Sequence, residues 1–203
     1  VSSRCTVVVF AKAPLAGFAK TRLIPSLGAA GAARLAERML DHALAQALAA
    51  DLGPVELCAA PDARHPAFAR WQALPLRWSD QGDGDLGTRM GRAMRRALAR
   101  SPRVLLVGTD APALDAAVLR RAAQALSGAD AVFVPTLDGG YVLVGTTRSP
   151  DPLFDGIAWS TPLVMEQTRE RLRRHGWRHV ELEPLPDIDA PADLVHRPAD
   201  WPA

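Results

Sequence analysis

The chain has little of several things that announce a function. Cysteine occurs twice in 203 residues, as Cys5 and Cys58. Neither has C-x-x-C spacing or a histidine cluster nearby, so neither a zinc framework nor a redox pair is indicated. Two buried or half-buried thiols of a reducing compartment are expected instead. Aromatic residues make up only 5% and do not interleave with cations, which argues against a stacking platform for single-stranded nucleic acid. The formal net charge is +2. With acids nearly balancing the cations, no global basic footprint for DNA, RNA or anionic lipid exists. The early apolar run, Thr6 to Ala11, is too short for a signal-peptide core or a membrane span. The histidines, His42, His65, His175, His179 and His196, show no metal or triad spacing. Walker A, G-x-G-x-x-G and G-x-S-x-G patterns are missing, as are repeats and low-complexity linkers. A soluble, cytoplasmic protein is expected, with no nucleic acid partner and no membrane span.

What is present is an alternation. Cys5–Phe10 reads as a strand buried on both faces, because apolar residues follow one another without a polar break. From Ala29 to Ala50 the apolar residues Leu35, Met39, Ala43 and Leu48 recur at helical spacing, and Gly53-Pro54 stops the helix. Strands follow at Val55–Ala59, Leu76–Ser79, Arg103–Gly108, Asp130–Pro135, Gly140–Thr146 and Arg178–Leu182. Helices are predicted from Leu86 to about Arg100, over Leu114–Leu126 and over Thr161–Arg174. Strands alternating with helices imply a single α/β domain, with a mainly parallel twisted sheet and helices on both faces. Ligands of such sheets sit beyond the carboxyl ends of strands, so the loops after Phe10, Ser79, Gly108 and Pro135 are the ones to inspect.

The first of these loops is the most unusual. "VVVFAKAPLAGFAKTRL", Val7 to Leu23, runs a buried strand into a turn built on Ala13-Pro14 and Ala16-Gly17, and carries Lys12, Lys20 and Arg22. A solvated basic turn would look like this; so would a cradle for an anion, and the strand-end position favours the cradle.

The carboxylates offer a partner for it. In "LLVGTDAPAL", Asp110 lies just past a buried strand, before the next predicted helix, which suits a ligand better than an N-cap. "PDIDAPADL" places Asp187 and Asp189 two apart, pointing the same way on an extended chain. Asp193 is a first-turn charge of a short helix after Pro191. One tail carboxylate together with Asp110 would make a site for a hard cation. In "TLDGGYVLVG", Asp138 with Gly139 and Gly140 is either a hairpin turn or the edge of an acceptor site.

The segments "FAKAPLAGFAKTRL", "GTDAPAL", "TLDGGYVLVG", "FDGIAWSTPLV" and "DIDAPADL" occur in an order that resembles a family of small GT-A-fold proteins. That family was long known as a domain of unknown function and is commonly labelled glycosyltransferase-like. It is similar to the guanylyltransferase of cofactor F420 biosynthesis. The resemblance covers Val7 to Val195 and implies the nucleotide-diphospho-sugar transferase fold. By it, Lys12, Ala13, Pro14, Gly17, Lys20 and Arg22 would meet the nucleotide phosphates, and Gln81, Gly82 and Gly87 of "DQGDGDLG" would read the base. Asp110 and Asp189 would bind Mg²⁺ or Mn²⁺, while Asp138, Gly139, Gly140 and Trp159 would face the acceptor. Lys20, Arg22, Asp110 and Asp138 would carry the chemistry. The nucleotide part would end near residue 110, the acceptor part would run over 111–196, and 197–203 would be a Pro-rich tail. The expected reaction is a metal-dependent, glycosyltransferase-like transfer from a nucleotide sugar or nucleoside triphosphate to a small acceptor. Nucleotidyl transfer with release of pyrophosphate is the alternative, because a single aspartate stands where many such glycosyltransferases have Asp-x-Asp. A non-catalytic nucleotide-binding protein is a second alternative.

Overall fold

The computed structural model describes residues 4–201. Residues 1–3 and 202–203, the last of which belong to the expected tail, lie outside the described residues. The chain alternates strand and helix as β1 (Cys5–Lys12), α1 (Ile24–Ala49), β2 (Val55–Ala60), β3 (Leu76–Asp80), α2 (Leu86–Leu98), β4 (Arg103–Val107), α3 (Ala116–Ala125) and β5 (Ala131–Pro135). It continues as β6 (Tyr141–Thr146), α4 (Asp151–Phe154), α5 (Val164–Arg174) and β7 (His179–Glu181). The strands form one seven-stranded sheet in the order β3-β2-β1-β4-β6-β5-β7. All neighbours pair in parallel except β6, which is antiparallel to both β4 and β5.

Both faces of the sheet are covered, and β1 shows why its sequence needs no polar alternation. Val7 and Val9 point into the core under α1 and α3, while Val8 points into the core on the other side, with Met94 of α2 and Leu172 of α5. Each fully buried aliphatic side chain of this kind contributes about 1.5–3 kcal/mol. A third, smaller cluster joins Leu23, Leu35 and Met39 to Ile188 and Trp201, so the C-terminal segment packs on α1. No helix among the described residues is long and apolar enough to cross a membrane. Both cysteines are free and buried.

Element ends differ from the sequence expectations for local reasons. Helix α1 begins at Ile24, but Gly28 at φ 68°, ψ 165° breaks it, so its regular part starts where the apolar period does. Helix α3 begins at Ala116, not Leu114, because the Asp115 carboxylate accepts the Val118 N–H at 2.8 Å and caps it. Helix α5 begins at Val164, not Thr161: the Thr161 hydroxyl donates to the Ala158 carbonyl at 2.7 Å and holds Thr161 in a turn.

Because β1, β4 and β5 are parallel, their carboxyl ends share one edge of the sheet, and antiparallel β6 begins there at Tyr141. The first loop, the Asp110 loop and the Asp138 hairpin are therefore neighbours although they are far apart in sequence.

Candidate active site

The first loop is folded back over the sheet edge. The Ala13 N–H donates to the Ala60 carbonyl at 2.7 Å, extending the β1–β2 ladder past Lys12. The N–H groups of Phe18 and Ala19 both donate to Leu15 O, and Gly17 between these residues sits at φ 78°. Lys20 then adopts φ 50°, a left-handed conformation that costs a side-chain-bearing residue about 1 kcal/mol. That conformation aims Lys20 inward. Its ammonium lies 2.8 Å from Asp110 Oδ1, donates to the Ile188 carbonyl at 2.6 Å and lies 3.8 Å from Asp189 Oδ1. The Lys20 side chain is only 8% exposed. Arg22, more open to solvent, donates to Asp189 Oδ2.

The tail that supplies Asp189 is pinned rather than loose. Ile188 is fully buried, and its N–H donates to the Asp110 carbonyl at 2.9 Å. Asp193 accepts the N–H groups of Asp189 and Ala190 at 3.1 and 2.7 Å. With Ile188 turned into the core, Asp187 and Asp189 flank it. Burial, and then the charges of Asp138 and Asp110, push the Asp187 carboxyl up to about 6.

At the β5–β6 hairpin, Asp138 accepts hydrogen bonds from the Thr136 hydroxyl and, at 3.1 Å, from the Gly140 N–H. Gly139 is at φ 92°, its carbonyl accepts the Met165 N–H at 2.8 Å, and any Cβ on it would collide with the Pro162 carbonyl oxygen. The hairpin-turn role read from Asp-Gly-Gly is thus present, and the Asp138 charge still reaches Asp187.

Of the other candidates, Lys12 and Gln81 line the same cleft as Lys20 and Arg22. Exposed Lys12 stands 6.0 Å over the Phe18 ring. Gln81 is buried, and both hydrogens of its amide are already used: Nε2 donates to Ala11 O and Cys58 O, while Oε1 accepts from Arg89 at 2.9 Å. Its side chain is a strut between β1, β2 and α2, with no donor left for a base. Gly82, at φ 69°, is covered by the Arg92 guanidinium, which donates to the Gln81 and Asp83 carbonyls. Gly87 packs against the Trp159 indole so closely that a Cβ would stand 2.7 Å from Nε1. Trp159 in turn stacks edge-on to Phe154 and Tyr141. Gly87 and Trp159 thus pack against each other.

An open cleft of about 520 Å³ lies over the sheet edge, with Lys20, Arg22, Asp110 and Asp189 among its walls. Arg89 and Tyr141 line it too, and sequence reasoning missed both. Arg89 could have been found as the cation one turn into the helix that follows a strand-end loop. Tyr141, the first residue of an antiparallel strand, gave no such signal.

Among the described residues no group of three or more His, Cys, Asp or Glu side chains could hold a metal ion. Two carboxylates and a carbonyl already surround one positive charge, the Lys20 ammonium. This all-oxygen set fits a hard cation of the kind that takes one or two protein carboxylates and completes its shell with substrate phosphate and water.

Residues 43–161 match the family described as "Uncharacterized protein conserved in bacteria (DUF2064)". No curated protein matches the sequence. A Desulfovibrio desulfuricans G20 protein, solved as a "putative nucleotide-diphospho-sugar transferase", superposes with a TM-score of 0.87 at 33% identity, over 95% of this chain and 85% of that one. A Methanothermobacter nucleotidyl transferase superposes at 0.65 with 17% identity, over 95% and 94% of the two chains. The 4-diphosphocytidyl-2C-methyl-D-erythritol synthase of Anaerococcus prevotii DSM 20548 does so at 0.65 with 9% identity, over 96% of each. The last two likenesses are of fold: the GT-A-type architecture of nucleotide-sugar transferases and nucleotidyltransferases.

Proposed function

The chain belongs to the bacterial DUF2064 family, and from that premise we propose that it is a transferase acting on a nucleotide sugar or nucleoside triphosphate, with a small acceptor near the Asp138 hairpin. The observation that carries this reading is the meeting of Lys20 and Arg22 with Asp110 and Asp189 at the carboxyl ends of β1 and β4. Cations for phosphate and carboxylates for a divalent metal come together at the place where ligands of open α/β sheets bind. Asp110 and Asp189 would hold Mg²⁺ or Mn²⁺, which when bound neutralises phosphate charge. Lys20 and Arg22 hold the donor phosphates as negative charge grows on the departing group, and Arg22 can do so through two parallel N–H bonds. Asp138 is locked by Thr136 and Gly140, which suits a group that orients an acceptor hydroxyl, since a fixed partner saves ordering entropy.

Nucleotidyl transfer is the second reading. Lys12, Lys20 and Arg22 in one loop suit the β- and γ-phosphates of a triphosphate. Ligand competition separates the two: binding of an NTP, the matching NDP and the matching NDP-sugar is measured with Mg²⁺ on the parent and on Asp138→Ala. An NDP-sugar advantage over NDP that disappears in Asp138→Ala is the glycosyl outcome. An NTP preference untouched by Asp138→Ala is the nucleotidyl outcome. Failure of every nucleotide to bind contradicts both.

A further inference from the structure

Lysine is nearly absent from this chain. Of 24 basic Lys and Arg residues, only Lys12 and Lys20 are lysine and 22 are arginine. One of the two, Lys20, is enclosed by oxygens: Asp110 Oδ1 at 2.8 Å, Ile188 O at 2.6 Å and Asp189 Oδ1 at 3.8 Å. Its surroundings invert those of an ordinary surface ion pair, in which the long basic side chain is the exposed partner. Here the lysine is 8% exposed and the carboxylates are 41% and 40% exposed. The backbone adopts a left-handed conformation at a non-glycine residue to deliver the side chain there. A compact ammonium suits an oxygen cage that a planar guanidinium fork would not fit.

We propose that Lys20 is a built-in stand-in for the divalent cation: its ammonium holds the place between Asp110 and Asp189, and the metal enters as Lys20 leaves. The inference rests on the reading of Asp110 and Asp189 as metal ligands. It adds a coupling. Donor phosphates draw Lys20 and Arg22 off the two aspartates, and this frees the aspartates for the metal. The metal then cancels charge that the departing lysine leaves behind. The surroundings favour such an exchange over simple loss of Lys20, because Asp138 and Asp187 add further negative charge to the mouth. Each ligand therefore raises the affinity for the other through one shared set of ion pairs.

Mn²⁺ binding to the nucleotide-free protein, followed by the EPR signal of free Mn²⁺, tests this without any turnover. Lys20→Gln and Lys20→Met are expected to bind Mn²⁺ at least about tenfold tighter than the parent, because a unit charge is removed within ion-pair distance of the ligands. Adding Asp110→Asn to either variant is expected to abolish the gain. An Asp110-dependent Mn²⁺ site that is no tighter in the Lys20 variants overturns the stand-in role and leaves the metal reading intact. No Asp110-dependent Mn²⁺ binding in any form overturns both. A second measurement uses only the parent, in case the variants do not fold. Amine acylation read by peptide mass spectrometry distinguishes Lys12 from Lys20. Lys20 is expected to be protected without metal and to become several-fold more reactive, relative to Lys12, as Mn²⁺ is added. Protection that does not change with Mn²⁺ contradicts the displacement.

Discussion

Two of the ion clusters on this sheet are built from the same chemistry to opposite ends. On β2, buried Glu56 accepts from both Nε and Nη2 of Arg96 at 3.0 and 2.5 Å and from the Ser79 hydroxyl at 2.6 Å, and Arg96 reaches Ser79 at 2.6 Å as well. One anion meets one cation there, and Glu56 Oε1 gathers all three of these hydrogen bonds. At the sheet mouth, Lys20 and Arg22 face Asp110 and Asp189, with Asp187 and Asp138 close behind. Within this cluster the carboxylates outnumber the two cations, Lys12 and Arg89 lining the same cleft besides, and the pairs are open to solvent on one side. The balanced cluster ties β2 and β3 to α2. The second is the cluster proposed above to exchange partners. Burial of the anion distinguishes the first cluster, where Glu56 is 2% exposed, from the second, where both carboxylates reach solvent.

The largest expected effect breaks the balanced cluster. Glu56→Ala leaves Arg96 without its buried partner and is expected to cost about 3 kcal/mol in chemical denaturation, the lower part of the usual range because Arg96 is a quarter exposed. Nucleotide affinity measured on the folded fraction is expected to stay the same. Ile188→Ala comes next, at about 2–3 kcal/mol for emptying a fully buried site. Unlike Glu56→Ala, it is also expected to weaken Mg²⁺-dependent nucleotide binding, since Ile188 anchors both tail aspartates; calorimetric titration of the folded variant checks this.

Asp187 sharpens the contrast through pH. Its carboxyl is raised to about 6 by burial and by Asp138 and Asp110, so the folded protein keeps this proton after the unfolded chain has lost it. The unfolded state then binds fewer protons, and stability falls as pH rises from about 4 through about 6. Asp187→Asn is expected to stabilise the metal-free protein by about 1 kcal/mol near pH 8, after allowance for its partial exposure, with little gain near pH 4. Denaturant midpoints at the two pH values measure it. The smallest effect is reserved for Lys12→Ala. An exposed cation is worth less than about 1 kcal/mol in nucleotide affinity, and titration of the parent against the variant reads the difference.

The strands were legible because a strand buried on both faces writes itself as an unbroken apolar run, as in Val7–Phe10. The position of the candidate site was legible for the same reason: strand ends carry the loops with cations and carboxylates. What sequence could not show is pairing at a distance. Nothing local tells that Lys20 meets Asp110, or that Asp189 returns to Arg22. Nor does composition tell that Gln81 has both amide hydrogens taken within the protein, or that Gly87 is small to admit Trp159. In those two places a polar or flexible residue in a strand-end region also has contacts within the protein that its sequence neighbours do not announce. The antiparallel turn at Asp138 was readable as a hairpin, but its arrival beside Asp187 depends on the strand order.

On the proposed reading, the Lys20–Asp110–Asp189 cluster holds a metal-bound nucleotide. Calorimetric titration of a nucleoside triphosphate and of nucleotide sugars, with and without Mg²⁺, into the parent and into Asp110→Asn tests it most directly. At least one nucleotide is expected to bind the parent at least about tenfold tighter with Mg²⁺ than without, and Asp110→Asn is expected to erase that difference while melting near the parent. A Mg²⁺-dependent nucleotide affinity that survives in folded Asp110→Asn removes Asp110 from the metal site and overturns that reading.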